Sequence, residues 1–551
     1  MSVPLLEQQA LEEEEKALEQ KAAPPSPLPL PAENGSPKRF AFSAHDYLAR
    51  ALDVIVVVWL VIFHHVLGVR YRFAQIAYDE HYFLNEGWSV VKGQIPYRDF
   101  QEFKPPVVIF VNALGIELFG LDGLGYRKFL ALLSLASFLA LTIALLSRRT
   151  NRLLVVATLM LMINHFYDDG LHNAVINDAE TLALDFFLMG IGVLLIRTKW
   201  ERTQQVLGGV LLALSPLSKE PMVFAVGSAW LSLLLLHRID SGGKASARRF
   251  ALFTLAGVAG VAATWLVYML ATRSLGWYIL QLKLNIAYTE NYAYQVRWAA
   301  RSPKGGELAE ALRRLSQGYV DAPHLAVFIP FFVALVTLWR KRTIVGVLAL
   351  VTFVAALYAV SIGHGFAARY FIMAMTGTFF CVTLGTIALD AVAKRSGSDL
   401  SLWLGVTWLG MALALTMPRF AAERKAYRTY KAEPPPVAQS DIDFVRAHTN
   451  PGDKIWTTDD PLLYVFSDRQ SAFRGGIVLD EIIEYYPGDT DEERLSVIRE
   501  GLEENRPKLV VIDNHMVGPH RKQRYMEALV LPFLEDHGYR PLDDRFYLRP
   551  D

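Results

Sequence analysis

Between residues 78 and 106 the chain gathers groups that can do chemistry. Asp79 and Glu80 stand side by side, a Gly93-Gln94-Ile95-Pro96-Tyr97-Arg98-Asp99 turn follows, and Lys104 precedes Pro105 and Pro106. A carboxylate near low-dielectric lipid can act as a general base near neutral pH. Asp79 can equally cap a helix, with Glu80 in its first turn, where the helix dipole favours both. Lys104 is a cation at a turn stiffened by two prolines, and a fixed cation at headgroup level suits a phosphate. An isolated lysine there can also snorkel to anionic lipid.

Other stretches offer further groups. Residues 165–180 (HFYDDGLHNAVINDAE) hold Asp168, Asp169, His172, Asp178 and Glu180, side chains of the kind that bind a divalent cation, at a spacing that matches no specific metal motif. Glu80, Asp178 and His172 are the candidate metal ligands, and whether a metal is needed stays open. Asp178 and Glu180 open an apolar run, where acidic residues are costly unless used. Lys219-Glu220-Pro221 interrupts two apolar runs and reads, at its simplest, as a self-neutralising pair in a hairpin. His364, Arg369 and Tyr370 share a short loop, and Arg369 can clamp an anionic oxygen bidentately. Trp277, Tyr278, Tyr288, Tyr292, Tyr294 and Trp298 suit either sugar stacking or an interfacial aromatic belt.

The elements that must position these groups are apolar. Of 551 residues, 52% are hydrophobic and 20% charged, and the apolar ones cluster in runs of about 16–22 residues, the length of a membrane-crossing helix. The chain therefore reads as a polytopic α-helical membrane protein. Its zero net charge leaves no nucleic-acid footprint. The single cysteine, Cys381, reads as a buried hydrophobe, so no disulfide framework forms within the chain.

The candidate runs are 51–69, 107–121, 129–146, 153–164, 181–196, 206–217, 222–236, 250–271, 325–339, 344–362, 371–392 and 402–417. Basic loops belong on the cytoplasmic side. Those at 148–152, 197–202, 237–249, 340–342 and 394–395 fall inside, together with Lys38, Arg39 and Arg50, only if 107–121 does not cross. That run is short and holds Asn112, Gly115 and Glu117, so it reads as a helix lying on the membrane surface. About eleven spans remain, with the N-terminus cytoplasmic and the polar loops 70–128, 165–180 and 272–324 on the outer face. Residues 1–45 read as a disordered cytoplasmic tail and 46–417 as the membrane domain. Residues 418–551 read as a small periplasmic α/β domain, with a helix at 440–449, strands at 454–458 and 508–513, helices at 491–505 and 523–537, and a last strand at 545–548.

With these residues in view, the chain resembles the GT-C superfamily of membrane glycosyltransferases that use polyprenyl-phosphate sugars. It is most similar to the dolichyl-phosphate-mannose–protein mannosyltransferase-like group, which includes the lipid A aminoarabinose transferases. The resemblance rests on Asp79-Glu80, on Gly93 with Pro96-Tyr97, on Lys104-Pro105-Pro106 and on Leu118-Phe119-Gly120. Asn177 with Glu180, Lys219 with Pro221, and Arg369-Tyr370 complete it. It implies a GT-C fold in the inner (cytoplasmic) membrane and transfer of a hexosyl or pentosyl group from a polyprenyl-phosphate sugar to a lipid, glycan or protein acceptor of the cell envelope. It further implies catalytic Asp79 and Glu80, with Lys104, Arg369 and Tyr370 on the donor phosphate. Asp178, Glu180, Lys219, Tyr97 and His364 would position donor or acceptor. The rival reading is a transporter or lipid flippase with an outer sensor domain. Against it, the charges gather at one face rather than at the bilayer midplane, and no internal repeat is visible.

Overall fold

The computed structural model describes residues 44–73, 78–102, 104–167, 177–240, 243–288, 328–335, 342–362, 371–427, 429–430, 437–458, 460–475, 488, 490–512 and 526–550. Residues 1–52 form a unit of their own, described only as the opening turns of one helix, and the packing below concerns residues 53–551. The tail read at 1–45 lies almost wholly outside the described residues.

The apolar runs become helices within a few residues of the places that hydropathy assigns. In chain order these are α1 (Ala44–Phe73), α2 (Tyr78–Val91), α3 (Pro106–Phe119), α4 (Tyr126–Ser147), α5 (Arg152–Phe166), α6 (Ala179–Leu195) and α7 (Glu201–Leu214). They continue with α8 (Met222–Asp240), α9 (Lys244–Ala271), α10 (Leu275–Tyr288), α11 (Ile329–Val333), α12 (Thr343–Ile362), α13 (Phe371–Ser396) and α14 (Ser398–Ala426). Among the described residues, stretches of α1, α4, α8, α9, α13 and α14 are long and apolar enough to cross a membrane. The 14 residues of α3 reach about 21 Å, short of a hydrocarbon core of about 30 Å. Run 325–339 is described only at 328–335, so the count of eleven extends beyond the described residues.

Side chains interlock the bundle. Here α4 packs on α6, α7 on α9, α8 on α12, α12 on α13 and α5 on α14. Backbones touch where α7 meets α9: a Cβ on Gly209 would lie 2.0 Å from the Thr254 carbonyl oxygen, and one on Gly257 2.2 Å from that of Val206. Small residues of this kind let helices approach closely where lipid supplies no hydrophobic drive. Cys381 is buried, with its thiol donating to the Ala349 carbonyl at 3.0 Å.

The basic loops meet at one end of the bundle. Asp240 pairs with Arg342 at 2.5 Å and with Arg148 at 3.9 Å. Lys394 donates to the Arg149 carbonyl, and the Arg197 amide to Ser147 Oγ.

Two elements differ from the sequence reading. The last apolar run does not stop at Met417, because α14 continues through Pro418 to Ala426. Its end is held against α1, where Phe420 stacks on Phe63 at 5.4 Å and Arg419 bonds the Tyr71 hydroxyl at 3.2 Å. Packing there outweighs the hydrogen bond that proline removes. The second is α10, which stands at the start of the expected loop 272–324. Its polar residues Tyr278, Gln281 and Asn285, with Ser274 just before the helix, recur at helical spacing and face inward, while Trp277, Ile279, Leu282 and Ile286 are exposed. This helix carries its apolar stripe outward.

Beyond the bundle lie α15 (Gln439–His448), β1 (Lys454–Thr457), α16 (Leu462–Ser467), β2 (Gln470–Ser471), α17 (Asp491–Asn505), β3 (Leu509–Val511), α18 (Leu531–Asp536), β4 (Arg540–Pro541) and β5 (Phe546–Leu548). The sheet order is β2-β1-β3-β5-β4, parallel across β2, β1 and β3 and antiparallel at β5. Trp456, Ile498, Leu502, Val510 and Phe533 form a core between sheet and helices, and a Thr490–Glu493 capping box starts α17. This α/β domain packs on the bundle through α16 against α2.

Candidate active site

The turn after α2 is built to present Lys104. Gly93 and Tyr97 take positive φ values of 86° and 66°, reversing the chain after the helix. The Asp99 carboxylate accepts from the Ile95 amide at 2.8 Å and from Arg98 at 2.7 Å. Burial alone would raise its pKa, but these donors hold it below the usual carboxylate range. Tyr97 is buried edge-on to Tyr278 of α10, with ring centroids 5.0 Å apart. Burial pushes its phenol well above the ordinary value, so the hydroxyl keeps its proton and donates to the Lys104 carbonyl at 2.9 Å. Glu102 accepts from the Lys104 amide. Pro105 then caps α3 and Pro106 is its first residue, where a missing N–H costs nothing.

Both backbone groups of Lys104 are therefore fixed. Its half-buried ammonium has no ion pair or hydrogen bond among the described residues. It borders a small recess with Glu102, Glu220, Tyr278, Gln281 and Asn285.

Three chain segments converge beside it. The Val107 amide of α3 donates to the Leu217 carbonyl at 3.1 Å, tying the Lys104 turn to the 215–221 hairpin. Asn112 of α3 and Asn177 exchange side-chain amide bonds of 3.0 and 2.7 Å, both buried. That pair fixes the opening of α6, where Asp178 and Glu180 follow. Lys219 binds Glu180 at 2.7 Å, with side chains 6% and 3% exposed, burial that only a paired charge tolerates. Lys219 therefore pairs with Glu180 rather than, as the hairpin alone suggested, with Glu220; Glu220 accepts from the Asn285 amide at 3.5 Å. Asp178 is the buried N-cap position of α6, two residues before Glu180. The sequence-selected Tyr97, Lys104, Asp178, Glu180 and Lys219 thus come together.

Asp79 is the second residue of α2, and its side chain lies outside the described residues. Glu80 is completely buried: it accepts from the Tyr126 hydroxyl at 2.6 Å and binds Arg127 through both oxygens, at 2.8 and 2.5 Å. Arg127 neutralises the charge a metal would use, and no group of three or more His, Cys, Asp or Glu able to hold an ion occurs among the described residues. His172, His364, Arg369 and Tyr370 lie outside the described residues. His81 reaches Asp460 of the α/β domain at 3.1 Å.

Sequence reasoning missed Arg127 and Tyr126. A charged residue opening an apolar run calls for a buried partner, and Arg127 carried that signal.

No protein-family model matches the sequence, and no curated protein is similar to it in sequence. The fold does have counterparts. The crystal structure of ArnT from Cupriavidus metallidurans bound to undecaprenyl phosphate superposes with a TM-score of 0.50 at 13% identity, over 92% of this chain and 98% of that one. The chain has the GT-C fold. An oligosaccharyltransferase from Archaeoglobus fulgidus without ligand scores 0.49 at 14% identity, over 92% and 75% of the two chains. The archaeal AglB from the same organism, with an inhibitory peptide and a dolichol-phosphate, scores 0.45 at 13% identity, over 92% and 75%. The first of these likenesses spans the bundle and the α/β domain alike, so the GT-C fold covers nearly the whole chain.

Proposed function

We propose that the protein is an inverting glycosyltransferase that moves a sugar from a polyprenyl-phosphate donor to an acceptor hydroxyl at the outer face of the cytoplasmic membrane. The observation that carries this reading is the backbone-fixed Lys104 ammonium, free of protein partners among the described residues and set beside the buried Lys219–Glu180 pair. A preformed cation of this kind matches a lipid-linked phosphate, and the superposed ArnT holds undecaprenyl phosphate in the same fold.

In the proposed reaction the acceptor oxygen attacks the anomeric carbon as the bond from that carbon to the phosphate oxygen breaks. Asp79 takes the hydroxyl proton. Lys104 and Arg369, with Tyr370, stabilise the departing polyprenyl phosphate, the electrostatic contribution that usually dominates such sites. Asp178, Glu180, Lys219, Tyr97 and His364 position donor and acceptor. Adjacent helical residues leave the axis about 100° apart, so the grip of Arg127 on Glu80 anchors the first turn of α2 and leaves Asp79 to the chemistry. Residues 418–551 lie in the periplasm in this reading.

Asp79→Asn in membranes, assayed with a polyprenyl-phosphate sugar, is expected to abolish transfer while expression stays normal. Full activity in that variant would remove Asp79 as the base.

A further inference from the structure

A cavity of about 1070 Å³ opens between the turn after α2, the inward face of α10, and β2 with α17 of the α/β domain. Its lining carries four basic and four acidic side chains, but the basic ones are occupied. Arg98 pairs with Asp99 at 2.7 Å and Lys92 with Asp468 at 2.6 Å. Lys454 binds Asn505 at 2.7 Å. Arg474 lies 3.7 Å over the Trp277 ring and bonds the Tyr97 carbonyl.

The groups left over have a definite character. Glu500, Glu503 and Glu504 form one exposed face of α17 and have no hydrogen-bond or ion-pair partner among the described residues. Gln281 is 7% exposed, and its Nε2 has no hydrogen-bond partner. A buried amide donor without a partner costs free energy unless a ligand or water completes it. Gln281 lines both the large cavity and the recess that holds Lys104, so it stands between them.

We propose that this cleft binds a neutral carbohydrate chain, the acceptor, with its end directed past Gln281 toward Lys104. The proposal rests on the glycosyl-transfer reading and names its acceptor class. Unpaired carboxylates accept from sugar hydroxyls, and the Gln281 amide donates to a sugar oxygen. An anionic glycan would meet three uncompensated carboxylates, and a basic peptide, which those carboxylates would attract, is the rival occupant that the test separates.

The test is saturation-transfer NMR on the full-length protein in lipid nanodiscs, with neutral hexasaccharides of glucose, mannose and galactose, and with decalysine. At least one hexasaccharide is expected to bind. Gln281→Leu should weaken it about tenfold, the loss of one well-made hydrogen bond to a buried donor. Because a core substitution can disturb folding, Glu500→Gln with Glu503→Gln on the exposed face serves as a second variant and should weaken binding several-fold. The proposal is overturned if no neutral hexasaccharide binds, if decalysine alone binds, or if binding ignores both sets of substitutions. A wild-type protein that binds a hexasaccharide yet transfers nothing from any polyprenyl-phosphate sugar would refute the glycosyl-transfer reading instead, leaving the cleft a carbohydrate site.

Discussion

Removing either half of the Glu80–Arg127 pair should unfold the protein far more easily than removing both. The side chains are 0% and 3% exposed, so neither charge can turn to water if its partner is lost. Glu80 accepts three bonds of 2.5–2.8 Å from Arg127 and Tyr126. Breaking a buried pair from one side typically costs about 3–5 kcal/mol, because it strands a charge, whereas an apolar replacement of both is often close to neutral. Glu80→Leu and Arg127→Met are each expected to lower the melting temperature by on the order of 5–10 °C. The double variant should recover most of that loss. Thermal unfolding of the four purified full-length proteins in one detergent gives the cycle directly. If either single variant melts like the wild type, or if the two losses simply add, the pair does not anchor α2 as described. The same proteins separate anchoring from catalysis: a double variant that is stable but inactive would return a chemical role to Glu80.

The remaining expectations concern the phosphate site and the domain contact. Lys104→Met should weaken binding of undecaprenyl phosphate at least tenfold, since a charge-assisted bond contributes about 1.5–3 kcal/mol, while Lys104→Arg keeps the charge and part of the affinity; equal binding by wild type and Lys104→Met would exclude the phosphate role. Lys219→Met leaves Glu180 buried without its cation and should destabilise the protein by several kcal/mol, and adding Glu180→Gln should recover part of it in the same melting assay. Arg474→Ala removes the contacts to Trp277 and the Tyr97 carbonyl. It is expected to speed proteolysis between the bundle and the α/β domain, and an unchanged cleavage rate would argue against that clasp.

Much of the fold was legible because a membrane makes strict demands. A helix must be apolar over a fixed length, and the basic loops must share one side. These rules placed the long helices, and Arg342, Arg148 and Asp240 do meet at one end of the bundle. In the α/β domain, α17 occupies residues 491–505, the span read from the sequence. The continuation of α14 through Pro418 escaped notice because packing on Phe63 and Tyr71 overrides a local helix-breaking signal. The inverted face of α10 escaped for a related reason: its outward apolar stripe reads as loop aromatics until a neighbour is seen to need the polar side.

By itself the sequence determined which residues could do chemistry. The types and order of Tyr97, Lys104, Asp178, Glu180 and Lys219 are local facts, and proline and glycine placement fixes the turn that carries Lys104. Which charges are used up and which stay free was decided only by the tertiary structure. Lys219 takes Glu180 rather than its neighbour Glu220, Arg127 closes on Glu80 across 47 positions, and Lys104 and Gln281 are left without partners among the described residues. Pairing of buried charges depends on distances between segments far apart in the chain, and no periodicity along a single strand of sequence encodes those distances.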